Sequence, residues 1–342
     1  MLQKLTLTEN SAQLSEISSK LRRSKKIIIV TGAGISTSAG IPDFRSKDGL
    51  YDLIKQKYPQ LKLKGHELFD RLAVNQSPLH TEAFCTFMGE LKKTVSKARP
   101  TRTHKFFRKL ADKKQLIRCY TQNVDGLENA AGLEVIKVHG DMNQLICQFC
   151  KGIVLFDKKY IRTFENGQMP ECPSCSREEN ERREQGKRPH KIGRLHPNIT
   201  LYNDFDDSRG LQIQKYLCAD ARRKPNFLLV MGTSLKVHGC RQLVKDIASW
   251  VHANEGIVVF VNRTEMTKEW NFVFDYQVMA DIDSWVELVE KEAGYDKIQA
   301  LIDFPATKAG KNGRVRKKRK TKEIDAGIVI RFIRKENGGG RG

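Results

Sequence analysis

Two glycines follow an early apolar segment at the spacing of a phosphate-binding loop. Residues 27–30 form a continuous apolar run, and Gly32, Ala33, Gly34 and Ser36 come directly after it. Glycines in such a turn let the backbone approach a pyrophosphate, whose charge is met by amide groups at the start of the next helix. The spacing therefore indicates a nucleotide phosphate site, although glycines alone also fit any tight turn between a strand and a helix.

The residues that follow differ from those of a nicotinamide dehydrogenase. A dehydrogenase has a third glycine where this chain has Thr37, and a carboxylate about 20 residues further on at the end of a second strand. This chain instead continues into a rigid polar loop in which Pro42 fixes the backbone and Asp43 and Arg45 carry opposite charges. Phe44 adds a flat apolar face, and a nicotinamide ribose beside a diphosphate needs this mixture.

Three further polar residues stand where two later strands are predicted to end. Asn123 and Asp125 come after residues 116–120, and His139 comes after residues 135–138. Because open α/β sheets bind ligands at the carboxyl ends of their strands, these three side chains should converge beside the nucleotide. A lone histidine at a strand end is more often structural. The neighbouring amide and carboxylate favour a general base here, since an imidazole with a pKa of about 6.5 is mostly neutral at pH 7.

Four of the eight cysteines form two Cys-x-x-Cys pairs, which are separated by 21 residues. Cys147, Cys150, Cys172 and Cys175 have the spacing of a four-thiolate zinc site, in which the metal is structural because no coordination position is left for water. Two redox-active pairs are the alternative. We interpret the scattered Cys119 and Cys218 as core residues.

The pattern of apolar segments predicts an α/β fold, a doubly wound parallel sheet of the Rossmann type. Short apolar runs are typical of buried strands, and amphipathic segments between them are typical of helices. The predicted strands are residues 27–30, 116–120, 135–138, 227–231 and 257–261, and the predicted helices are residues 11–23, 104–112, 241–253 and 284–292.

This alternation breaks in residues 142–195, which hold both cysteine pairs and a charged run at 177–191. We predict that this segment is a small zinc-binding module with a flexible flap, inserted into the larger domain. Residues 51–100 form a second insertion, which should pack as helices beside the first. The expected domains are a Rossmann-like nucleotide-binding domain of residues 1–141 and 196–305, the module of residues 142–195, and a basic, largely disordered tail of residues 306–342.

The motifs, taken in order, closely resemble those of the sirtuin family of NAD-dependent protein deacetylases. The first is the glycine loop with the polar loop at 40–45, and the others follow it in the order in which the family has them. They are Thr121-Gln122-Asn123-Val124-Asp125-Gly126-Leu127, Val138-His139-Gly140, Gly232-Thr233-Ser234-Leu235-Lys236-Val237 and Val261-Asn262. The resemblance runs from about residue 27 to residue 288.

The resemblance implies a sirtuin deacetylase fold, NAD as co-substrate and one structural Zn²⁺ on the four cysteines. Asn123 and Asp125, with Ile41, would hold the nicotinamide carboxamide. Gly232, Thr233 and Ser234 would contact phosphate or ribose oxygens. The full set of implied cofactor-binding residues is Gly32, Ala33, Gly34, Ser36, Ile41, Asp43, Phe44, Arg45, Gln122, Asn123, Asp125, Gly232, Thr233, Ser234, Asn262 and Ile282.

The resemblance also implies a mechanism, with His139, Asn123 and Asp125 as the catalytic residues. The acyl oxygen of a modified lysine would attack the ribose anomeric carbon as nicotinamide leaves. His139 would then act as general base on a ribose hydroxyl. The products would be free lysine, nicotinamide and O-acetyl-ADP-ribose, so that NAD is consumed and no hydride moves.

The chain departs from the family pattern at two places. Many sirtuins carry histidine where this chain has Glu128, and the substrate-cleft sequence ends in Asn203-Asp204 instead of the family's Gly-Glu. Asn203 can adopt the left-handed conformation that glycine would take, so we expect the cleft to persist. Glu128 and the basic tail together resemble the fungal nuclear branch that acts on histone H3 lysines.

The net charge of +21, from 61 basic and 40 acidic residues, favours contact with polyanions. The segment 308–322 is strongly basic, which is compatible with a nuclear import signal, with contact to DNA or chromatin, or with a solvated polar run. An acetylated histone, and histone H3 first, is the expected partner, which predicts a nuclear location. The chain has no apolar run long enough to cross a membrane and no secretory signal, so membrane contact is not expected.

Two other functions remain open at this stage. The same pocket could serve mono-ADP-ribosyl transfer, which nicotinamide release without any acyl-lysine would indicate. Alternatively, the protein could be a chromatin-bound scaffold that only senses NAD, but a pocket used only for binding has no need of the base His139. A dehydrogenase is disfavoured because the ribose carboxylate is missing at the expected distance.

Overall fold

Ten strands build two sheets in the computed structural model, which describes residues 2–47, 49–61, 65–203 and 208–295. All five predicted strands are present at or within two residues of their expected bounds. The strands are β1 Gln3–Thr6, β2 Ile27–Thr31, β3 Leu116–Thr121, β4 Ile136–Lys137, β5 Gly140–Cys147, β6 Ile153–Leu155, β7 Leu195–Ile199, β8 Phe227–Met231, β9 Ile257–Asn262 and β10 Tyr276–Met279.

The larger sheet has seven parallel strands in the order β1-β10-β9-β8-β2-β3-β4. The chain builds from β2 through β3 to β4 on one side and later returns to place β8 on the other side of β2. The strand order therefore reverses between β2 and β8. In doubly wound sheets this reversal opens a crevice at the carboxyl ends of the two strands, and ligands bind there. The predicted Rossmann-like parallel sheet is confirmed.

Helices cover both faces of the sheet, and side chains of each strand alternate between the faces. Among the described residues the helices are α1 Ser11–Arg23, α2 Leu50–Lys57, α3 Arg71–Val74, α4 Pro78–Lys97, α5 Arg102–Asp112, α6 Leu127–Ala130, α7 Lys158–Glu165, α8 Pro173–Glu184, α9 Ser208–Ala221, α10 His238–Ala253 and α11 Ile282–Glu292. Ile27 and Ile29 pack toward α1, α5 and α11, whereas Ile28 and Val30 pack toward α9 and α10. This period of two explains why each central strand is apolar along its whole length.

A third core joins the two insertions. It packs Phe84 and Leu91 of α4 with Phe156, Phe164 and Leu195 of the segment that holds the cysteines. The rings of Phe156 and Phe164 lie 4.8 Å apart between centroids. The second insertion does form helices beside the first, as predicted.

The segment that holds the cysteines also contains the smaller sheet, an antiparallel set in the order β6-β5-β7. Strands β5 and β7 run across the predicted module boundaries at 141/142 and 195/196. The division into domains therefore stays a prediction, and the tail at 306–342 lies outside the described residues. No helix among the described residues is long and apolar enough to span a lipid bilayer.

Several sequence expectations differ from the structure. Strands β1 and β10 were not predicted, because each is only four residues long and lies at or next to the sheet edge, where an apolar run is not needed. The expected flap at 177–191 is wrong in its first half, since residues up to Glu184 continue α8 and Glu179 is buried. Cys119 is buried as expected, but Cys218 is exposed on α9 and is not a core residue.

The two glycine loops at the strand reversal touch each other through their backbones. Gly32 donates its amide to the Met231 carbonyl at 3.0 Å, and Gly34 donates to the Gly232 carbonyl at 2.8 Å. A Cβ on Gly34 would lie 2.7 Å from the Gly232 Cα, and a Cβ on Gly232 would lie 2.7 Å from the Ile35 amide nitrogen. Gly232 also has a φ of +62°, which favours glycine. No larger residue fits this contact.

We expect Gly232→Ala to lower the free energy of unfolding by about 2–5 kcal/mol, because left-handed strain and a backbone clash add. Gly186→Ala is the matched control, since Gly186 has a φ of +64° and an added Cβ there would meet nothing within 4 Å. The control substitution should lower the free energy of unfolding by about 1–2 kcal/mol, from backbone strain alone. Urea unfolding of both variants measures the difference, and equal losses would contradict the contact.

Candidate active site

The predicted site residues lie at the carboxyl ends of five adjacent strands. Asn262 ends β9, Gly232 follows β8, Gly32 follows β2, Asn123 follows β3 and His139 follows β4. Four spacings of about 4.8 Å between neighbouring strands make this row roughly 19 Å long. Residues that are widely separated in the chain thus form one continuous polar edge, with the strand reversal near its centre.

The two ends of this row differ in exposure. At the β3 end, the side chains of Ser36, Asn123 and Asp125 are buried. At the β9 end, Ser234 is exposed and Asn262 is half-buried. The row therefore joins a closed pocket to an open surface, which suits a ligand with one end enclosed and the other accessible.

A hydrogen-bonded group of three side chains forms the closed pocket. Ser36 donates from Oγ to Asp125 Oδ2 at 2.9 Å, and Asn123 Nδ2 donates to Ser36 Oγ at 3.3 Å. Asp125 Oδ1 accepts the Leu127 amide at 2.8 Å. Ile41 lies nearby in the sequence, is buried, and belongs to the third core. An amide, a carboxylate and a hydroxyl held in this way can recognise a ligand carboxamide, which both donates and accepts.

Gln122 connects the pocket to the glycine loops. Its Nε2 donates to the Thr31 carbonyl at 3.1 Å and to Thr233 Oγ1 at 2.9 Å. Thr233 Oγ1 also accepts the Leu235 amide at 3.1 Å. Gln122 and Thr233 therefore fix the ends of β2, β3 and β8 relative to one another, so that part of their role is structural.

The ring of His139 is half-buried and oriented by the backbone. Its Nδ1 lies 3.1 Å from the Gln122 carbonyl, which can only accept, so Nδ1 carries the proton and Nε2 is left as the basic nitrogen. Burial lowers the pKa of His139 to about 4, the Gln122 bond opposes this, and Arg209 and Arg45 add to the lowering. The imidazole is therefore neutral at pH 7 and can accept a proton.

The polar loop after the glycines forms the outer wall. Asp43 Oδ1 accepts the amides of Arg45 and Ser46, each at 2.8 Å. Burial alone would raise the pKa of Asp43, but these bonds outweigh it and the pKa is lowered. Phe44 packs edge-on against Phe69 with centroids 5.5 Å apart, and Arg45 is exposed. The loop thus places a charged rim, formed by Asp43 and Arg45, above the aromatic ring of Phe44.

The remaining two cofactor predictions lie at the open end. Asn262 donates from Nδ2 to Thr264 Oγ1 at 2.8 Å, and its carbonyl accepts the Ala280 amide at 3.1 Å. Ile282 begins α11, and its side chain is buried in the core beneath the sheet. A ligand at this end would therefore meet the backbone near Ile282 and not its side chain.

A buried acid and a buried histidine stand behind the pocket, and neither was predicted as part of the site. His104, Asp125 and Glu128 bring their ligand atoms within 4.8 Å of one another, and all three residues are buried. His104 Nδ1 accepts the Thr101 amide at 3.2 Å, so its Nε2 carries the proton. That Nε2 and Glu128 Oε2 both lack a hydrogen-bond partner. The unusual Glu128 was the only sequence signal for this cluster, since His104 comes from a distant helix.

Two carboxyl groups this close cannot both ionise cheaply in a buried site. Burial is the main cause that raises the pKa of Glu128 to about 7, and the charge of Asp125 adds to it. Burial also raises the pKa of Asp125, but the Leu127 amide and the Ser36 hydroxyl stabilise its charged form. We infer that Asp125 holds the charge and Glu128 holds the proton.

The four paired cysteines converge between the end of β5 and the start of α8, with the geometry of a tetrahedral metal site. Cys147 and Cys175 place their Sγ atoms 3.7 Å apart, and so do Cys150 and Cys172. These separations exclude disulfides, whose sulfurs bond at about 2.05 Å. They match the edge of about 3.8 Å expected for four Zn–S bonds of about 2.3 Å. The Phe149 amide lies 3.3 Å from Cys147 Sγ, which suits a thiolate. The residues therefore fit one structural zinc.

We expect the purified protein to contain one zinc per chain and Cys172→Ser to lose it, because three thiolates cannot close the site. The loss should also lower the thermal stability, since metal binding contributes folding free energy. Metal analysis and thermal unfolding measure both effects. Cys218→Ser, at an exposed cysteine on α9, should keep zinc and stability. A fully zinc-loaded Cys172→Ser protein would contradict the assignment.

The buried Glu128 predicts a pH-dependent stability. Its folded-state pKa of about 7 lies above the ordinary 4.5, so its contribution is intact below about pH 4.5 and is lost as pH rises toward 7. Glu128→Gln cannot ionise and should gain up to about 3 kcal/mol relative to the native chain between pH 5 and pH 8. Urea unfolding of both proteins at the two pH values tests this. A difference that stays constant with pH would rule out the buried titration.

The chain is similar over most of its length to fungal proteins named as NAD-dependent deacetylases. It is 38% identical to NAD-dependent histone deacetylase HST3 of Saccharomyces cerevisiae, over 82% of this chain and 68% of that protein. It is 36% identical to the protein of the same name from Candida albicans, over 83% of this chain and 63% of that protein. NAD-dependent protein deacetylase hst4 of Schizosaccharomyces pombe is 33% identical, over 87% of this chain and 72% of that protein. The chain spans about two thirds of the length of these relatives.

Solved structures of Sir2 proteins share the fold. A Sir2Tm structure with a propionylated peptide aligns with a TM-score of 0.62 and 23% identity, over 82% of this chain and 99% of that chain. A Sir2 homologue in complex with ADP-ribose aligns with a TM-score of 0.63 and 20% identity, over 84% of this chain and 99% of that one. A family model described as the Sir2 family matches residues 32–239. With the similarity to the fungal proteins, this match shows that the chain belongs to the Sir2 family.

Proposed function

We propose that this protein is an NAD-dependent protein-lysine deacetylase that acts on histone lysines, with His139 as its general base. The observation that carries the proposal is the single polar row across five strand ends, from Asn262 to His139. The row is closed at one end and open at the other, as an extended dinucleotide with a reacting end requires. The names of the fungal relatives support the same activity.

The closed pocket formed by Ser36, Asn123 and Asp125 would hold the nicotinamide carboxamide. Asp125 is charged in our assignment and can accept from the carboxamide nitrogen, while the Asn123 amide can meet its oxygen. Ile41 would pack against the ring from the third core. When bound, NAD supplies an electrophilic ribose carbon whose leaving group is this nicotinamide.

The glycine loops would hold the diphosphate at the strand reversal. Ala33, Gly34 and Gly232 bring backbone close to the sheet edge, where amides can meet phosphate oxygens. The charged rim of Asp43 and Arg45 would cover the nicotinamide ribose, above Phe44. The remaining residues would contact the rest of the dinucleotide: Gly32, Gln122, Thr233, Ser234, Asn262 and the backbone at Ile282.

His139 would remove a proton from a ribose hydroxyl after the acyl oxygen has displaced nicotinamide. The neutral imidazole, with Nδ1 tied to the Gln122 carbonyl, offers Nε2 as the base. Because its pKa is lowered to about 4, the imidazole stays neutral and able to accept a proton at any pH above about 5. The residue after it begins β5, which pairs with β7, so the base sits where the two sheets meet. The deprotonated hydroxyl would attack the carbon of the resulting imidate, and addition of water would then release lysine and O-acetyl-ADP-ribose.

An acetylated histone lysine, on histone H3 first, is the proposed substrate. Asn203 ends the predicted cleft segment and has a φ of +56°, the left-handed conformation expected for it, whereas Asp204 lies outside the described residues. A histone substrate also supports a nuclear location. The basic segment 308–322 would act as import signal or DNA contact.

If residues 306–342 carry the import signal, a chain without them should lose its nuclear enrichment, because the strongly basic run is removed. Fluorescence microscopy of tagged full-length and shortened chains measures this. The full-length chain is the control, and an unchanged nuclear signal would contradict the import role.

We expect His139→Ala to lower deacetylation of an acetylated histone H3 peptide by about 10²–10⁴-fold, because the general base is removed. Exchange of labelled nicotinamide into NAD should survive, since nicotinamide leaves before the base acts. Product analysis by mass spectrometry and the exchange assay measure the two steps. The control variant His190→Ala changes an exposed histidine in the zinc segment, and it should keep both deacetylation and nicotinamide exchange.

Three outcomes would contradict the proposal. Full deacetylation by His139→Ala would remove the base from the mechanism. Nicotinamide release by the native chain without any acyl-lysine, with transfer of ADP-ribose to protein, would favour the mono-ADP-ribosyltransferase. A chain that binds NAD and consumes none with any acyl-lysine peptide would favour the sensing scaffold.

A further inference from the structure

The end of the sheet opposite the active site carries a dense group of cations. Nine exposed lysines and arginines lie in the helix ends and the turns that lead into the neighbouring strands β2, β3 and β8. We call this set the basic edge, and it consists of Arg22, Arg23, Lys25, Lys26, Lys113, Lys114, Arg222, Arg223 and Lys224. Because β8, β2 and β3 are adjacent, the three turns lie side by side.

The turns are held against each other by hydrogen bonds, so the basic edge is a fixed surface. Gln115 donates from Nε2 to the carbonyls of Arg22 and Ser24 at 2.9 and 2.7 Å. The Asn226 amide donates to the Lys26 carbonyl at 3.1 Å. These bonds connect the turn before β2 to the turns before β3 and β8.

A concave site lies within the basic edge. A cavity of about 340 Å³ is lined by Arg23, Lys25, Lys26, Lys224, Asn226 and Asn254. The lining contains four cations and two amides and no carboxylate. Its chemistry suits an anion with several oxygens.

The charges of the basic edge have no carboxylate partners in the part of the chain that the structure describes, although Lys113 lies over the Tyr295 ring at 3.8 Å and Arg223 donates to the Ile117 carbonyl at 3.3 Å. Among the described residues, none of the nine cations forms an ion pair with a carboxylate. Asp112, one of the few acids nearby, is paired with Arg108 at 2.8 Å. Glu255 is exposed and stands at the neighbouring turn. The surface is therefore strongly positive in total.

Helix dipoles explain only part of this pattern. Arg22 and Arg23 are in the last turn of α1, where cations are favoured by the dipole. Lys114 and Lys224 lie beyond their helices with φ of +55° and +54°. Glycine is the usual residue in that conformation, and Glu255 has the matching position after α10 with φ of +55°, so the helix dipole does not require a lysine there.

From these observations we propose that the basic edge binds the phosphate backbone of double-stranded DNA. Sequence-independent DNA binding relies on lysine and arginine contacts to phosphates. Binding of single strands usually adds exposed aromatic rings on which bases stack, and the basic edge has none. The strands place this surface roughly 17–20 Å from the catalytic edge, so bound DNA would leave the active site open. The inference concerns a second site and does not depend on the deacetylase assignment.

The test compares two full-length variants with the same change in charge. Arg23→Gln, Lys25→Gln, Lys26→Gln and Lys224→Asn together remove the cations of the cavity. The control combines Lys158→Gln, Lys187→Gln, Arg188→Gln and Lys191→Gln, at exposed sites of the zinc segment. Both chains keep residues 306–342, so any contribution of that segment is equal in all proteins.

Binding to a DNA duplex of about 30 base pairs is measured over a range of salt concentrations. The cavity variant should bind about tenfold or more weakly, and its slope of log affinity against log salt should fall by about 3–4, because up to four phosphate contacts are lost. The control variant should bind within about twofold of the native chain. Deacetylation of a free peptide should be unchanged in the cavity variant.

Three results would overturn the proposal. Equal loss in both variants would show a general effect of net charge, and no loss in the cavity variant would show that the cavity cations do not contact DNA. If the cavity variant lost binding to polyglutamate but not to DNA, the partner would be an acidic protein. Circular dichroism of both variants excludes misfolding as the cause.

Discussion

The contact between the two glycine loops at the strand reversal determines where everything else in the active site lies. Gly34 and Gly232 meet with no side chain between them, and backbone hydrogen bonds connect the ends of β2 and β8. Pairing of neighbouring strands gives the row from β9 to β4 its regular spacing, and the glycine contact closes the centre of that row. A larger residue in either loop would separate the strand ends and break the row at the place proposed for the diphosphate.

The charge at the closed end of the row depends on two buried carboxyl groups that receive different numbers of hydrogen bonds. Asp125 receives an amide and a hydroxyl, whereas Glu128 has one oxygen without a partner. The charge therefore resides on Asp125, the group that faces the proposed carboxamide. His104 and Glu128 fill the space behind it, and many sirtuins have a histidine at the position of this acid. A buried polar group without a hydrogen-bond partner lowers the free energy of unfolding, and such groups are found near functional sites.

Two paired strands, β5 and β7, connect the zinc segment to the proposed catalytic base. Strand β5 begins at Gly140, directly after His139, and ends at Cys147, the first of the four thiolates. Strand β7 pairs with β5, and the Thr200 amide donates to the His139 carbonyl at 2.9 Å. A zinc ion bound by the four cysteines would fix one end of this strand pair, and the large sheet fixes the other end. Zinc thus can act on the position of the base without any contact to substrate.

Sequence patterns alone were enough to predict the fold class, the central strands and the four cysteines that fit a zinc ion, and they supplied the candidate site residues, which stay predictions. These features depend on local signals: apolar runs, glycine and cysteine spacing, and ordered motifs whose resemblance to a family covers most of the chain. The short strands β1 and β10 carried no such signal, and the exposure of Cys218 depends on how α9 packs. The spatial order of the polar row could not be predicted, because strand order is set by long-range pairing. In the folded protein the row runs through Asn262, Gly232, Gly32, Asn123 and His139. The same holds for the proximity of His104 to Glu128 and for the basic edge, since both consist of residues that come together only when distant turns and helices pack.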